Sequence, residues 1–368
     1  MQKRWKQVLT VLLSLAVGVA AGVALAALYD AAAPGGAGAA PWAICLVLLL
    51  LLAALYAQML LHEAGHLVFG LLTGYRFCSF RIGSVMLYRG RDGLRVARYA
   101  LPGTGGQCLL AAPEAEEDLP VVLYHLGGCL MNLLFAAVAA AAALAIPDRT
   151  WGGCFLWLLA LSGAALALLN GMPLRLAMVN NDGRNALDLA RSPGARQAML
   201  RQLRINARQT MGERLRDMPE DWFSLPERFD GADALVCSIG YFALCRALDA
   251  QQDDAAIRLG RRLLSEAKAL PGVHRLLVQQ ELLFLALVRG EPVQEDIAAL
   301  RRFWKQAKGL PSTQRMRYAV ARLLDHDAAA AGRAVRDCER IAATYPFAGE
   351  LEGEREQMAR VDGARMVV

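Results

Sequence analysis

The chain has 368 residues; 56% are hydrophobic and only 20% charged and 7% aromatic, with a mean hydropathy of +0.31. That balance excludes an ordinary soluble protein of this length. The net charge of +6, with no basic block interleaved with aromatics, argues against a nucleic-acid partner. The apolar excess gathers in roughly the first 180 residues and the remainder reads as a charged helical chain, so a membrane half and a soluble half are expected.

The first apolar run, Val8 to Tyr29, follows Lys3, Arg4 and Lys6. Its length exceeds a secretory h-region of about 7 to 15 residues, which favours a retained span over a cleaved signal peptide. A second run begins at Pro41-Trp42 and continues through His62-Glu63-Ala64-Gly65-His66 to Leu72. Only five histidines occur in the chain, and roughly 0.003 matches to H-E-x-x-H are expected by chance. On a helix, positions i and i+4 share a face, so His62 and His66 can offer two imidazole nitrogens to one zinc ion while Glu63 acts on metal-bound water. The competing reading, polar residues wetted at a helix end, carries the cost of placing ionisable groups in a spanning segment.

Between residues 75 and 118, alternation in Phe77–Ile82 and Leu94–Tyr99 with Asp92-Gly93 between predicts a small β ribbon. Pro102–Gly106 reads as a turn rather than a phosphate loop. A third run spans about Leu119 to Ile146, and His125 within it reads as interfacial or as a support for the metal residues. A fourth spans about Gly153 to Met172. Arginines 76, 81, 89, 91, 95 and 98 between spans two and three, against none between spans one and two, place the ribbon and both termini in the cytoplasm of a multi-pass cell-membrane protein. A catalytic zinc usually takes three protein ligands. Asp182, in an Asn-Asp-Gly turn just after the fourth run, is the best third candidate, although taken in isolation it reads more readily as a helix cap or turn residue. The eight cysteines, without a C-x-x-C pair, read as small hydrophobes.

His62-Glu63-Ala64-Gly65-His66, Gly127-Gly128-Cys129-Leu130-Met131-Asn132, and Asn170, Pro173 and Asp182-Gly183, in that order, resemble the site-2 protease family of intramembrane zinc metalloproteases. The resemblance covers about residues 42 to 185, with Cys129 where Pro is common and an Asn-to-Asp spacing of twelve. It implies that His62, His66 and Asp182 bind Zn2+ and that Glu63 is the general base. It also implies that Asn132 packs near the site, that Asn170 holds substrate backbone, and that the substrate is a membrane-spanning protein.

Beyond Arg184 the apolar period becomes 3.6. Helical pairs are expected at 233–249 with 253–269, 273–289 with 293–307, and 313–324 with 328–344, recurring every 39 to 40 residues. The rhythm resembles tetratricopeptide arrays, whose concave face would hold a cytoplasmic protein partner or a substrate tail; a compact helical bundle is the other reading. The expected fold is therefore mainly α: a transmembrane core of about four helices with a small cytoplasmic β ribbon over 1–184, a linker over 185–230, and a solenoid-like helical domain over 231–368. Two functions follow, a zinc metalloprotease or a membrane-anchored adaptor with a structural zinc, and an intact Glu63 favours the first.

Overall fold

The computed structural model describes residues 41–100, 105–113, 120–146, 150–174, 180–225, 229, 231–293 and 297–364. The first expected span, with its basic flank, lies outside the described residues. The protein is mainly helical and carries one antiparallel sheet. Helices α1 (Pro41–Leu72), α2 (Val121–Ala145) and α3 (Trp151–Gly171) are each long and apolar enough to cross a membrane. Two compact units are present: described residues up to Gly65 with Gly128–Leu169, and His66–Gly127 with the described residues from Asn170 onward.

In the first unit, Thr150 caps α3 by accepting from the Gly153 amide at 3.0 Å. Val47, Ala54, Cys154 and Leu158 form the apolar contact between α1 and α3. Leu48, Leu49, Leu52, Leu133 and Leu134 remain exposed, as a lipid-facing surface requires. Trp42 and Trp151 pack 5.9 Å apart at one end, the position of an interfacial aromatic belt. At 1.5 Å per residue, His62 stands about 32 Å along the helix from Pro41, close to one hydrocarbon thickness.

In the second unit, strands β1 (Arg76–Ile82), β2 (Val85–Gly90), β3 (Gly93–Arg98) and β4 (Gly106–Ala111) lie in the order β3-β2-β1-β4, every neighbouring pair antiparallel. Gly90 pairs with Gly93, so Arg91-Asp92 form the hairpin tip. The expected ribbon thus extends to four strands. Arg81, one of the arginines used for orientation, is only 1% exposed and donates to the carbonyls of Gly83 and Gly106.

The segment expected as a linker is largely structured. Its helix α4 (Asp182–Arg191) is capped by Asn181, and α5 (Pro193–Thr210) by Ser192 with Pro193 in the first turn. Two short 3₁₀ turns follow at Leu215–Asp217 and Glu220–Phe223. Leu200, Leu203 and Ile205 of α5 share a core with Leu110 of β4.

Six helices then fall where the periodicity predicts: α6 (Ala234–Asp249), α7 (Asp253–Glu266), α8 (Gly272–Arg289), α9 (Ile297–Gln306), α10 (Pro311–Leu323) and α11 (Ala328–Ala342). The unpredicted α12 (Ala348–Gly363) packs on α10, and Arg214 binds both Asp249 of α6 and Glu356 of α12. Leu244, Leu263, Phe284, Leu300, Trp304 and Met316 lie in one apolar core.

Candidate metal centre

α1 carries His62, Glu63 and His66, and the helical pitch sets the two imidazoles one turn apart on one face. All three side chains are nearly buried, at 9%, 8% and 7% exposure. Each histidine is oriented within its own unit.

In the first unit, His62 Nδ1 lies 2.7 Å from Asn132 Oδ1. The Asn132 amide nitrogen donates to both the carbonyl and the side-chain oxygen of Gln58, each at 2.8 Å. Gln58 Nε2 donates in turn to the Leu159 carbonyl at 2.9 Å. A backbone carbonyl only accepts, so the chain of donors runs one way. Leu159 sets the Gln58 amide, Gln58 sets Asn132, and Asn132 presents its oxygen to His62. His62 therefore carries its proton on Nδ1, and Nε2 is the nitrogen with the lone pair a metal requires.

Two glycines make room for this arrangement. A β-carbon on Gly128 would stand 2.6 Å from His62 Cε1, and one on Gly163 would stand 2.5 Å from Gln58 Nε2. Gln58 and Asn132 are fully buried, which such a saturated network permits at low cost. Cys129 Sγ also lies within 4.8 Å of a His62 ring nitrogen, a contact that reading the cysteines as small hydrophobes missed.

In the second unit, His66 Nδ1 lies 2.9 Å from the Tyr124 carbonyl, so it too must donate and Nε2 again holds the lone pair. The Tyr124 ring meets His66 edge-on, stacks on Tyr75, and its hydroxyl donates to the Cys108 carbonyl of β4 at 2.6 Å. His66 Nε2 and Asp182 Oδ2 are 3.6 Å apart. Two ligands of one tetrahedral zinc, each with a bond of about 2.0 to 2.1 Å, are separated by about 3.4 Å. The donor chemistry and this spacing fit a metal ion.

Asp182 is presented by the turn before it. Asn181 donates to the Met172 carbonyl at 2.6 Å while its side-chain oxygen accepts from the amides of Leu174 and Arg184, tying the end of α3 to the start of α4. A β-carbon on Gly183 would lie 2.0 Å from the Gly171 carbonyl oxygen, so the backbone after Asp182 needs glycine. Asp182 is not the helix cap, since Asn181 holds that position; it is the first residue of α4 and lies beside His66. Asn170 is half-buried in the last turn of α3, and His125, at 8% exposure, is buried beside Tyr124.

His62 and Cys129 in the first unit offer an imidazole and a thiol within 4.8 Å of each other, and His66 and Asp182 in the second offer an imidazole and a carboxylate 3.6 Å apart; all are donor types a metal ion accepts. Gln58 and Gly163 were not legible as site residues, and only the placement of a glutamine inside an apolar run hinted at the first; Gly128 belongs to the motif that carries the resemblance. Comparison with protein-family models, with curated proteins and with solved structures finds no match.

Proposed function

We propose that the chain is an intramembrane zinc metalloprotease that hydrolyses membrane-spanning protein substrates near the cytoplasmic face. The observation that carries this reading is the fixed orientation of both H-E-x-x-H imidazoles, each held through Nδ1 so that Nε2 is the ligand nitrogen, with Asp182 beside His66. His62, His66 and Asp182 would hold the zinc. When bound, zinc polarises a carbonyl and brings the pKa of its water towards about 7.

Glu63, adjacent to His62, accepts the water proton and returns it to the leaving amine. A helical substrate must unwind first, because its carbonyls are already hydrogen-bonded. Asn170 at the end of α3 is suited to holding the released backbone. The β3 edge, with Leu94 and Val96 exposed, is suited to pairing with an extended segment. The helices from α6 onward would stack as a solenoid and hold a cytoplasmic partner.

One observation favours a second reading. If Cys129, close to His62, completed a four-ligand shell, the zinc would be structural and the protein a membrane-anchored adaptor. Co-expression with a single-span model substrate separates the two: wild type cleaves and Glu63→Gln does not. Equal processing by both proteins refutes the protease. Cys129→Ala retains zinc and cleavage in the first reading and loses zinc in the second.

A further inference from the structure

The second unit encloses a cavity of about 220 Å³, walled by the sheet and by α5, α6, α8, α10 and α12. None of the metal-centre residues lines it. Its charged lining is one-sided: Glu213, Asp249, Glu281, Glu350 and Glu354 against Arg315 alone. Four of these carboxylates already have a basic partner. Glu213 binds Arg208, Asp249 binds Arg214, and Glu281 and Glu354 share Arg315, each at 2.6 Å.

Glu350 differs. Its Oε1 accepts from the Tyr345 hydroxyl at 2.8 Å, and among the described residues no basic side chain is in ion-pair range of it. Around it, the rings of Tyr99, Tyr345 and Phe347 meet edge-on at 5.3 to 5.9 Å. His274, stacked on Tyr241 in the same wall, adds no positive charge, since burial pushes it down to about 4.

We propose that this cavity binds a small primary ammonium group, held by Glu350 beside the Tyr99, Tyr345 and Phe347 side chains. An anion finds no free basic group on the lining, since Arg315 is already shared by Glu281 and Glu354. A metal ion lacks a shell, because among the described residues no three of the cavity's acidic, thiol or imidazole groups lie within coordinating distance of one another. A guanidinium prefers a two-oxygen fork, whereas Glu350 has one oxygen engaged by Tyr345 and offers the other to a point charge. The same aromatic cluster already tolerates a cation, the Arg81 guanidinium lying 6.0 Å from the Tyr99 ring centre.

Burial and the neighbouring Glu354 push the Glu350 carboxyl up to about 8, so it carries a proton at neutral pH. Capture of R–NH3+ converts the acid to carboxylate and sends that proton to solvent. The ammonium has two sources, a lysine side chain of a peptide or a free diamine, and both are tested.

Full-length protein in detergent is titrated calorimetrically, in two buffers of different ionisation enthalpy, with N-acetyl-lysine methylamide, cadaverine and the neutral control pentan-1-ol. One or both amines bind with release of a proton and the alcohol does not. Binding by the lysine amide identifies a peptide side chain; binding by cadaverine alone identifies a free diamine. Glu350→Gln weakens binding by about tenfold or more, and Tyr345→Phe by about threefold with the fold retained. No binding of either amine up to about 10 mM, an equal response to pentan-1-ol, or unchanged affinity in Tyr345→Phe and in folded Glu350→Gln overturns the proposal. Zinc content and proteolysis play no part in this readout.

Discussion

His62 Nδ1 and Asn132 Oδ1 stand 2.7 Å apart, at the end of a hydrogen-bond chain that begins on the Leu159 carbonyl. Through that bond a residue on α2 decides which nitrogen of an α1 histidine is available to a metal. Replacing Asn132 by Leu frees the imidazole to change tautomer and to rotate. Zinc affinity, measured by competition with a chelating dye, falls by about 10- to 100-fold. Gln58→Leu has the same direction and a smaller effect, because Asn132 Nδ2 keeps the Gln58 backbone carbonyl as an acceptor.

Two glycine substitutions test the fit around the ligands. In Gly128→Ala the new methyl collides with the His62 ring, and in Gly183→Ala it collides with the Gly171 carbonyl oxygen. A ring moves more readily than backbone. Gly128→Ala therefore keeps its helical circular dichroism and loses zinc, whereas Gly183→Ala also loses thermal stability. Metal content per chain and melting curves together check both outcomes.

Asp182→Ala removes the carboxylate 3.6 Å from His66 Nε2. Zinc stoichiometry by elemental analysis drops below that of wild type, while Asp182→His retains part of it. Full zinc binding by Asp182→Ala places the third ligand elsewhere.

Arg315 is 2% exposed, lies 4.1 Å from the centre of the Phe284 ring, and binds Glu281 and Glu354. Its loss strands two carboxylates in a buried site. Arg315→Ala lowers the unfolding free energy of the helical domain by about 3 to 5 kcal/mol. Chemical denaturation of wild type and variant measures it.

Stability also depends on pH through Glu350. The groups facing it are Glu354 and Glu281, which raise its pKa, Arg315, which lowers it, and Tyr345, which donates to it. In the folded chain the carboxyl sits at about 8 against an ordinary value of 4.5, so the folded state keeps a proton the unfolded state releases. Its contribution is complete below about pH 4.5 and is lost as pH rises towards 8. Melting temperatures between pH 5 and 9 fall in wild type, and fall less in Glu350→Gln.

Much of this was legible from residue order because it rests on local patterns. The H-E-x-x-H spacing, the apolar runs of α1 to α3 and the repeating helical pairs each follow from periodicity. The misses have physical reasons. Strands β2 and β4 alternate weakly, since Gly90 and Gly106 end them and Arg89 lies among apolar neighbours. α12, rich in Glu and Arg, has little apolar periodicity and is held instead by Arg214 and Arg315. Gln58 and Gly163 belong to the site through contacts between helices distant in sequence, which no single segment encodes.

The hydrogen-bond chain from Leu159 through Gln58 and Asn132 to His62 bears on how portable the metal motif is. Grafting the α1 segment into another helical scaffold would transfer the five letters of the motif but not the hydrogen bond that leaves the lone pair on His62 Nε2. A working transplant must also carry an α2 asparagine, an α3 carbonyl and two missing methyl groups at Gly128 and Gly163. The smallest transferable part is therefore a three-helix arrangement, and a motif search that scores the pentapeptide alone will accept many chains unable to present His62 in this way.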